Sequence, residues 1–448
     1  MNPKTSSLAP QPELNSPWRW FQTGLLIFPT LPAFGGLIFA YLIISLWVRY
    51  YRRLWKRPCN LIAGSILLVL LLSSAFAYKP GEAFLGTANF LPGLVGFAPF
   101  AFLLQTPAQL RRIAWISVLG AIPVLILGLG QGIAAWLTPT AFNAILGWVL
   151  EPGGNPPGRI ASTFMYANIF AGYLLVIWAL AWGLAIEAYQ TYQQKRQSSQ
   201  ALAQFLVLLI FLGTVGMALL LTSSRNAWGT ALIVVLGYGV YLGWRWLVLG
   251  VITAAGAILW AAFGTVGQAQ LRAIVPDLIW LRLSGAMYPN VPEAHLRTTQ
   301  WQFAWEMIQE RPFLGWGLRN FSHLYELHWQ LWLGHPHNLF LMLGAETGAI
   351  ATMMLCSFVG WAIAQALILV YIWSRALRVQ WYRDRLILLA FIVAFGSCIL
   401  FNCLDVSIFD LRLGYFGWIL LFALWGVTAR YRKLLPLQGW SRISTQVK

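Results

Sequence analysis

The sequence predicts an all-α, polytopic transmembrane helical bundle of about twelve spans with one large outer-face loop containing amphipathic helices. Three observations carry this. Hydrophobic residues fill 59% of the 448 positions and charged residues only 10%, too few to coat a soluble protein of this length. Apolar runs long enough to cross a bilayer recur along the chain. Lys and Arg gather in alternate loops, as the positive-inside rule requires. That rule also accounts for the net charge of +17, so no nucleic-acid partner is implied.

The runs lie near 61–78, 83–104, 113–136, 161–185, 201–222, 226–242, 246–264, 350–373, 385–402 and 414–429. Ahead of them, 21–49 is apolar throughout but contains Pro29 and Pro32. It is one long span or two helices joined at the prolines, giving eleven or twelve spans, and twelve is the count adopted. Residues 1–18 are polar and proline-spotted, without the short apolar core of a cleavable signal. The four cysteines show no CxxC spacing and read as packing residues.

Orientation follows from counting cations. One set of loops and the C-terminal tail hold 19 of the 30 Lys and Arg, including Arg49, Arg52, Arg53, Lys56, Arg57, Arg111, Arg112, Lys195, Arg196, Arg245, Arg375, Arg378, Arg383 and Arg385, then Arg430, Arg432, Lys433, Arg442 and Lys448. The opposite set holds Lys79, Arg159, Arg225, Arg272, Arg282, Arg297, Arg311, Arg319 and Arg412 over much longer segments. The first set is therefore expected in the cytoplasm, with the C-terminus, in a multi-pass protein of the plasma (inner) membrane whose working face is external or periplasmic. The chain divides into an N-terminal transmembrane bundle (1–264), an outer-face loop with interfacial helices (265–337) and a C-terminal transmembrane bundle (338–448).

Within the loop, 297–310 is expected as a helix with Trp301, Ala304, Trp305 and Ile308 on one stripe, ended by Pro312, Gly315 and Gly317. Residues 320–333 repeat the pattern with Leu324, Leu327 and Leu331. The tryptophans suit the headgroup layer.

All five histidines (His295, His323, His328, His335, His337) fall in or at the end of this segment. An amphipathic interfacial segment tolerates histidine without giving it work. A zinc site from His323, His328, His335 and His337 would match no standard ligand spacing, so no metal is expected. His337 stands at the mouth of the next apolar helix, in His-Pro-His-Asn, with Asn338 placed to cap that helix. An imidazole there can take a proton near neutral pH, as a general base must.

Arg159 (in GRIASTF), Arg225 (in SSRNAW) and Arg297 sit at outer mouths against the positive-inside bias. Snorkelling or structural ion pairs would explain them. So would an anionic ligand, because guanidinium forks match phosphate oxygens, and several converging arginines suit a pyrophosphate. Asp405, in FNCLDVSIFDLR with Asp410 and Arg412, could orient an arginine or His337, or serve as an ion-pair partner. Gly344 and Gly348 form a small-xxx-small pair, which usually means close helix packing.

These residues resemble a family. HPHNLFLMLGAETG is similar to the signature of the O-antigen ligase and polymerase superfamily, membrane glycosyltransferases of the GT-C type. His337, Asn338 and Gly348 fit its spacing, whereas Ala351 departs from its last position. SSRNAW resembles the family's Ser-Arg-x-x-Trp element, RTTQWQFAWEMIQERPFLGWGLRNF its outer-loop element, and GRIASTFMYANIFAGYL its first outer-loop exit. The ending LDVSIFDLRLGYFGWILL looks like a branch from photosynthetic bacteria described as bicarbonate transporters. The resemblance implies metal- and cofactor-independent transfer of a glycan from a polyprenyl-pyrophosphate carrier to the hydroxyl of a lipid or glycan acceptor, with membrane lipids as surroundings. It gives His337 the role of base, Arg159, Arg225 and Arg297 that of pyrophosphate holders, and Asn338 and Asp405 supporting places. The rival class, transport of a small anion such as bicarbonate, expects polar groups near the midplane. Here they sit at one edge, which favours the enzyme.

The topology is testable by cysteine labelling from outside intact cells. Reagent should reach positions in 265–335 and miss the 186–200 loop and the C-terminus. Labelling of the 186–200 loop would reverse the orientation.

Overall fold

The computed structural model describes residues 12–194, 198–287, 290, 292–375 and 379–432, and its regular structure is helical among them. Of the cations counted above, Lys195, Arg196, Arg378, Lys433, Arg442 and Lys448 lie outside the described residues. The first half holds α1 (Asn15–Ile27), α2 (Pro32–Trp55), α3 (Pro58–Ala75), α4 (Pro80–Ala88), α5 (Leu91–Leu103), α6 (Pro107–Ile133) and the short α7 (Asn143–Leu146). Then come α8 (Ala167–Gln194), α9 (Ser199–Leu221), α10 (Arg225–Leu242) and α11 (Arg245–Phe263). Four short helices follow: α12 (Gln268–Ile274), α13 (Asp277–Ser284), α14 (Arg297–Glu310) and α15 (Asn320–Trp329). The chain closes with α16 (Leu339–Ser374), α17 (Val379–Asn402) and α18 (Leu411–Arg432).

Ten of the described helical segments are long and apolar enough to cross a membrane, with α4 and α5 together making one. The protein is a multi-pass membrane protein. Two expected spans fall outside the ten. The 21–49 run does break at its prolines, but α1 has 13 residues, about 20 Å of helix against a hydrocarbon core of about 30 Å. In α10, Arg225 and Asn226 open an 18-residue helix and dilute its hydropathy. The 161–185 run is α-helical only from Ala167, after a 3-10 turn at Ser162–Phe164, where Gln131 Oε1 accepts the N–H groups of Ala161 and Ser162, each at 2.9 Å.

The core is built around α8, most of whose residues are buried. It packs against α6, α9, α10 and α17, and α18 packs against α5 and α16. At one end Arg111 of α6 bridges Glu187 of α8 (2.6 Å) and Asp384 of α17 (2.8 Å). The other end carries the short helices.

There, α14 occupies the expected residues, but its buried positions are Gln300, Ala304 and Met307, while Trp305 is 53% exposed. In α15 the buried residues are Asn320, Phe321, Ser322 and Tyr325, and Leu327 faces out. Both helices turn from the expected stripe because the partner they cover is α16. Phe303, Phe321 and Tyr325 stack into a small core with Ala304, Met307 and Ala345.

The apolar run expected from 350 belongs to a longer element, α16, broken at Gly348 (φ +75, ψ 172). Gly344 packs closely, its hydrogen face against Ile308, as a small-xxx-small pair should. Gly348 does something else. The break leaves backbone groups that an apolar environment cannot satisfy, and residues 312–317 supply the partners. Trp316 N donates to Ala345 O (3.0 Å), Gly317 N to Glu346 O (2.7 Å) and Ala349 N to Pro312 O (2.7 Å). Ser73 of α3 adds a hydroxyl to Leu314 O at 2.6 Å, and Phe321 N donates to the buried Glu346 carboxylate at 2.9 Å.

A methyl group at 348 would stand 2.2 Å from Phe313 O in a φ/ψ region open essentially to glycine. Gly348→Ala should therefore cost about 1–3 kcal/mol in backbone strain and a similar amount in overpacking. Thermal unfolding in detergent should show a lowered midpoint and poorer yield; a wild-type midpoint would mean that the interlock yields cheaply.

Candidate functional site

Several helix termini meet at the α14–α16 end. His337 precedes α16 and has φ +51, a left-handed value that costs a non-glycine residue about 1–2 kcal/mol. Asn338 caps α16 as expected, accepting from Phe340 N (3.0 Å) and Leu341 N (3.1 Å). Asp405 lies in the turn between α17 and α18 and is 2% exposed.

His337 Nδ1 lies 3.3 Å from Asp405 Oδ1. An ionised carboxylate only accepts, so Nδ1 carries the proton and Nε2 is bare. Val406 N donates to the same Asp405 oxygen at 2.9 Å, and Asn168 Nδ2 donates to Oδ2 at 2.8 Å. Asn168, in the first turn of α8, accepts in turn from Arg159 Nη2. A continuous chain therefore runs Arg159, Asn168, Asp405, His337. Burial raises the Asp405 carboxyl, but the His337 hydrogen bond, the neighbouring imidazoles and Val406 N–H outweigh it and hold the group below its ordinary range.

Arg159 also donates through Nε to Thr222 O at the end of α9 (2.7 Å). Arg225 opens α10 after a tight corner at Ser223 (φ +50) and donates to Arg282 O at 3.2 Å. Arg282, on α13, donates back to Ser223 O at 3.2 Å. Arg297 is the half-buried first residue of α14, and its charge acts on Tyr166, Arg225 and His335. Arg159 thus reaches the His337–Asp405 pair through Asn168, Arg297 acts on His335, and Arg225 is linked to Arg282 and Arg297.

Sequence reasoning left Asn168, Tyr166 and Arg282 out of the site. Tyr166 interacts electrostatically with Asp405, Arg159, Arg297 and Arg282, and burial raises its phenol above the ordinary value. Tyr166 and Asn168 lie inside the GRIASTFMYANIFAGYL stretch, and Arg282 is one of the outer-set cations, so membership of those elements is the signal the sequence offers. Asp410 pairs with Arg412 at 3.2 Å, and Arg412 also reaches Thr163 O at 2.6 Å.

The five histidines do not form one cluster. His323 meets Lys79 Nζ at 3.2 Å, and His328 packs between Phe303 and Trp329. Only His335 joins His337, their rings 4.6 Å apart and nearly perpendicular. Ring nitrogens of both and an Asp405 oxygen lie within 4.8 Å of one another, close enough for metal ligation. The proton count opposes it: His335 Nδ1 accepts the His337 N–H at 3.2 Å, so the neutral ring keeps its proton on Nε2, which faces Asp405 at 3.9 Å. Two hydrogen bonds within the trio, His337 Nδ1 to Asp405 and His337 N–H to His335 Nδ1, already use candidate ligand atoms.

Beside this site, α16, α17 and α18 enclose an apolar cleft of about 290 Å³ that begins at Leu339 and Phe340, next to Asn338, and touches Asn402 and Ser407 near Asp405. Gly360 and Gly417 line it and face open space.

On the reading that these hydrogen bonds, and no ion, hold the trio, chelation should leave the activity of the purified protein unchanged. Stoichiometric zinc that leaves together with activity, under a chelator, would overturn the hydrogen-bond reading.

The family model for O-Antigen ligase matches residues 205–356. The match runs from within α9 past the Gly348 break and covers Arg225, Arg282, Arg297, His335 and His337, while Arg159, Asn168 and Asp405 lie beyond it. A search of curated proteins returns no match. Three of the elements read from the sequence, SSRNAW, the outer-loop stretch ending in Phe321 and HPHN with its glycine break, fall inside the matched segment. They meet in space around one histidine–carboxylate pair, and the segment that holds them is similar to the O-antigen ligase family.

Proposed function

We propose that this protein transfers a glycan from a polyprenyl-pyrophosphate carrier to an acceptor hydroxyl at the external face of the plasma membrane. The observation that carries the reading is the bare His337 Nε2, aimed by Asp405 and set beside several arginines. His337 takes the proton of the acceptor hydroxyl as its oxygen attacks the anomeric carbon. The bond from that carbon to the pyrophosphate oxygen breaks, and the pyrophosphate leaves with the electron pair. Arg159, Arg225 and Arg297 hold its oxygens and stabilise the charge as it grows. Asp405 fixes the His337 tautomer and steadies the imidazolium, and Asn338 caps the helix that begins just after His337.

The match to the O-antigen ligase family model supports glycan transfer in a general sense; the donor and acceptor named here are our reading. The apolar cleft beginning beside Asn338 supports substrates delivered on lipid, which need to move only within the membrane plane. The clustering of charge at one end, where a transporter would place it near the midplane, argues against bicarbonate uptake.

A general base contributes about a hundred- to ten-thousandfold to a rate, so His337→Ala should nearly abolish transfer while leaving expression and donor binding intact. Arg225→Ala should weaken donor binding as well, and Arg225→Lys should recover only part, since an ammonium lacks the fork. Lipid-linked glycan transfer in membranes, run beside labelled-bicarbonate uptake, separates the readings. If both alanine variants spare transfer and abolish uptake, the protein is a transporter.

A further inference from the structure

His335 takes no part in the chemistry above, yet it touches the backbone of the residue that does. We infer that His335 is a positioning residue: its Nδ1 accepts the His337 N–H, locks that residue in its left-handed conformation and so aims the His337 ring at Asp405. The effect on rate rests on the transferase reading; the clamp itself rests on geometry.

Three features build the clamp. Pro336 fixes its own φ and restricts His335 to extended backbone, so the approach to His337 is stiff. His337 then turns into φ +51, a conformation that persists only where surroundings over-determine it. The acceptor that does so is a side chain reaching the N–H two residues on, at 3.2 Å. Asn and Asp make the same closure in Asx turns. The second His335 nitrogen faces Asp405 Oδ1 at 3.9 Å, and the ring stands edge-on to His337 at 4.6 Å. The clamp works only while Nδ1 is bare. Burial, with the adjacent His337 and Arg297, brings His335 down to about 4 against the pull of Asp405, so the ring is neutral at physiological pH.

The Asx-turn equivalence makes a specific test. An Asn at 335 places Oδ1 close to where Nδ1 sits and should close the same turn. An Asp would close it too, but with a second carboxylate facing Asp405. The full-length protein is reconstituted in nanodiscs as wild type, His335→Ala, His335→Asn and His335→Asp. Hydrogen exchange of the peptide covering 333–341 reads the clamp, and kcat with donor KM reads its use. His335→Ala should exchange the His337 amide at least about tenfold faster and lose about ten- to a hundredfold in kcat, the scale of a misaimed catalytic group, with donor KM little changed. His335→Asn should restore slow exchange and most of the rate. His335→Asp should restore exchange without the rate. Unchanged exchange in His335→Ala, an Asn variant as impaired as Ala, or faster exchange with wild-type kcat would each overturn the inference. If wild-type protein shows no glycan transfer, the transferase reading falls, and exchange alone still decides the clamp.

Discussion

A backbone interlock between residues 312–317 and the break at Gly348 sets where α16 begins, and the site depends on that position. Breaking a helix in apolar surroundings exposes N–H and C=O groups that lipid cannot satisfy. Here Trp316 N, Gly317 N and Pro312 O satisfy them, and Gly315 and Gly317 adopt positive φ to bring those groups within reach. The half-helix that follows Asn338 is thereby held against α14, α15 and the α3–α4 corner. His337 can carry a strained backbone conformation because the elements on either side of it are fixed.

The two ends of the bundle treat charge differently. At one end Arg111, Glu187 and Asp384 neutralise one another within hydrogen-bond distance, a closed cluster that ties α6, α8 and α17. At the His337 end Arg159, Arg225 and Arg282 make hydrogen bonds to the carbonyl oxygens of Thr222, Arg282 and Ser223. Such contacts orient a guanidinium, and in a low dielectric its charge acts strongly. An Asp405 that is 2% exposed is tolerable only because His337, Val406 and Asn168 all donate to it. The same three donors that stabilise the carboxylate are what give the imidazole its orientation.

The sequence by itself determined the class of fold and singled out candidate residues for the site. Run lengths and the scarcity of charge require membrane helices, because the hydrocarbon core rejects unpaired polar backbone. The prolines at 29 and 32 dictated the first break, Asn338 its cap, and the motif residues His337, Arg225 and Arg297 were legible by type and position. What the sequence left open was decided by packing. Whether α14 buries Trp301 and Trp305 or Gln300 and Met307 depends on which neighbour it meets, and an amphipathic pattern with aromatic residues all round does not say. Gly348 reads equally as a packing glycine or a hinge until the loop that fills the hinge is in place. The partners of Asp405 come from positions 168, 337 and 406, far apart in the chain and unremarkable as residue types. Asn168 and His335 owe their places to contacts made across the bundle, and only the tertiary structure brings those contacts together.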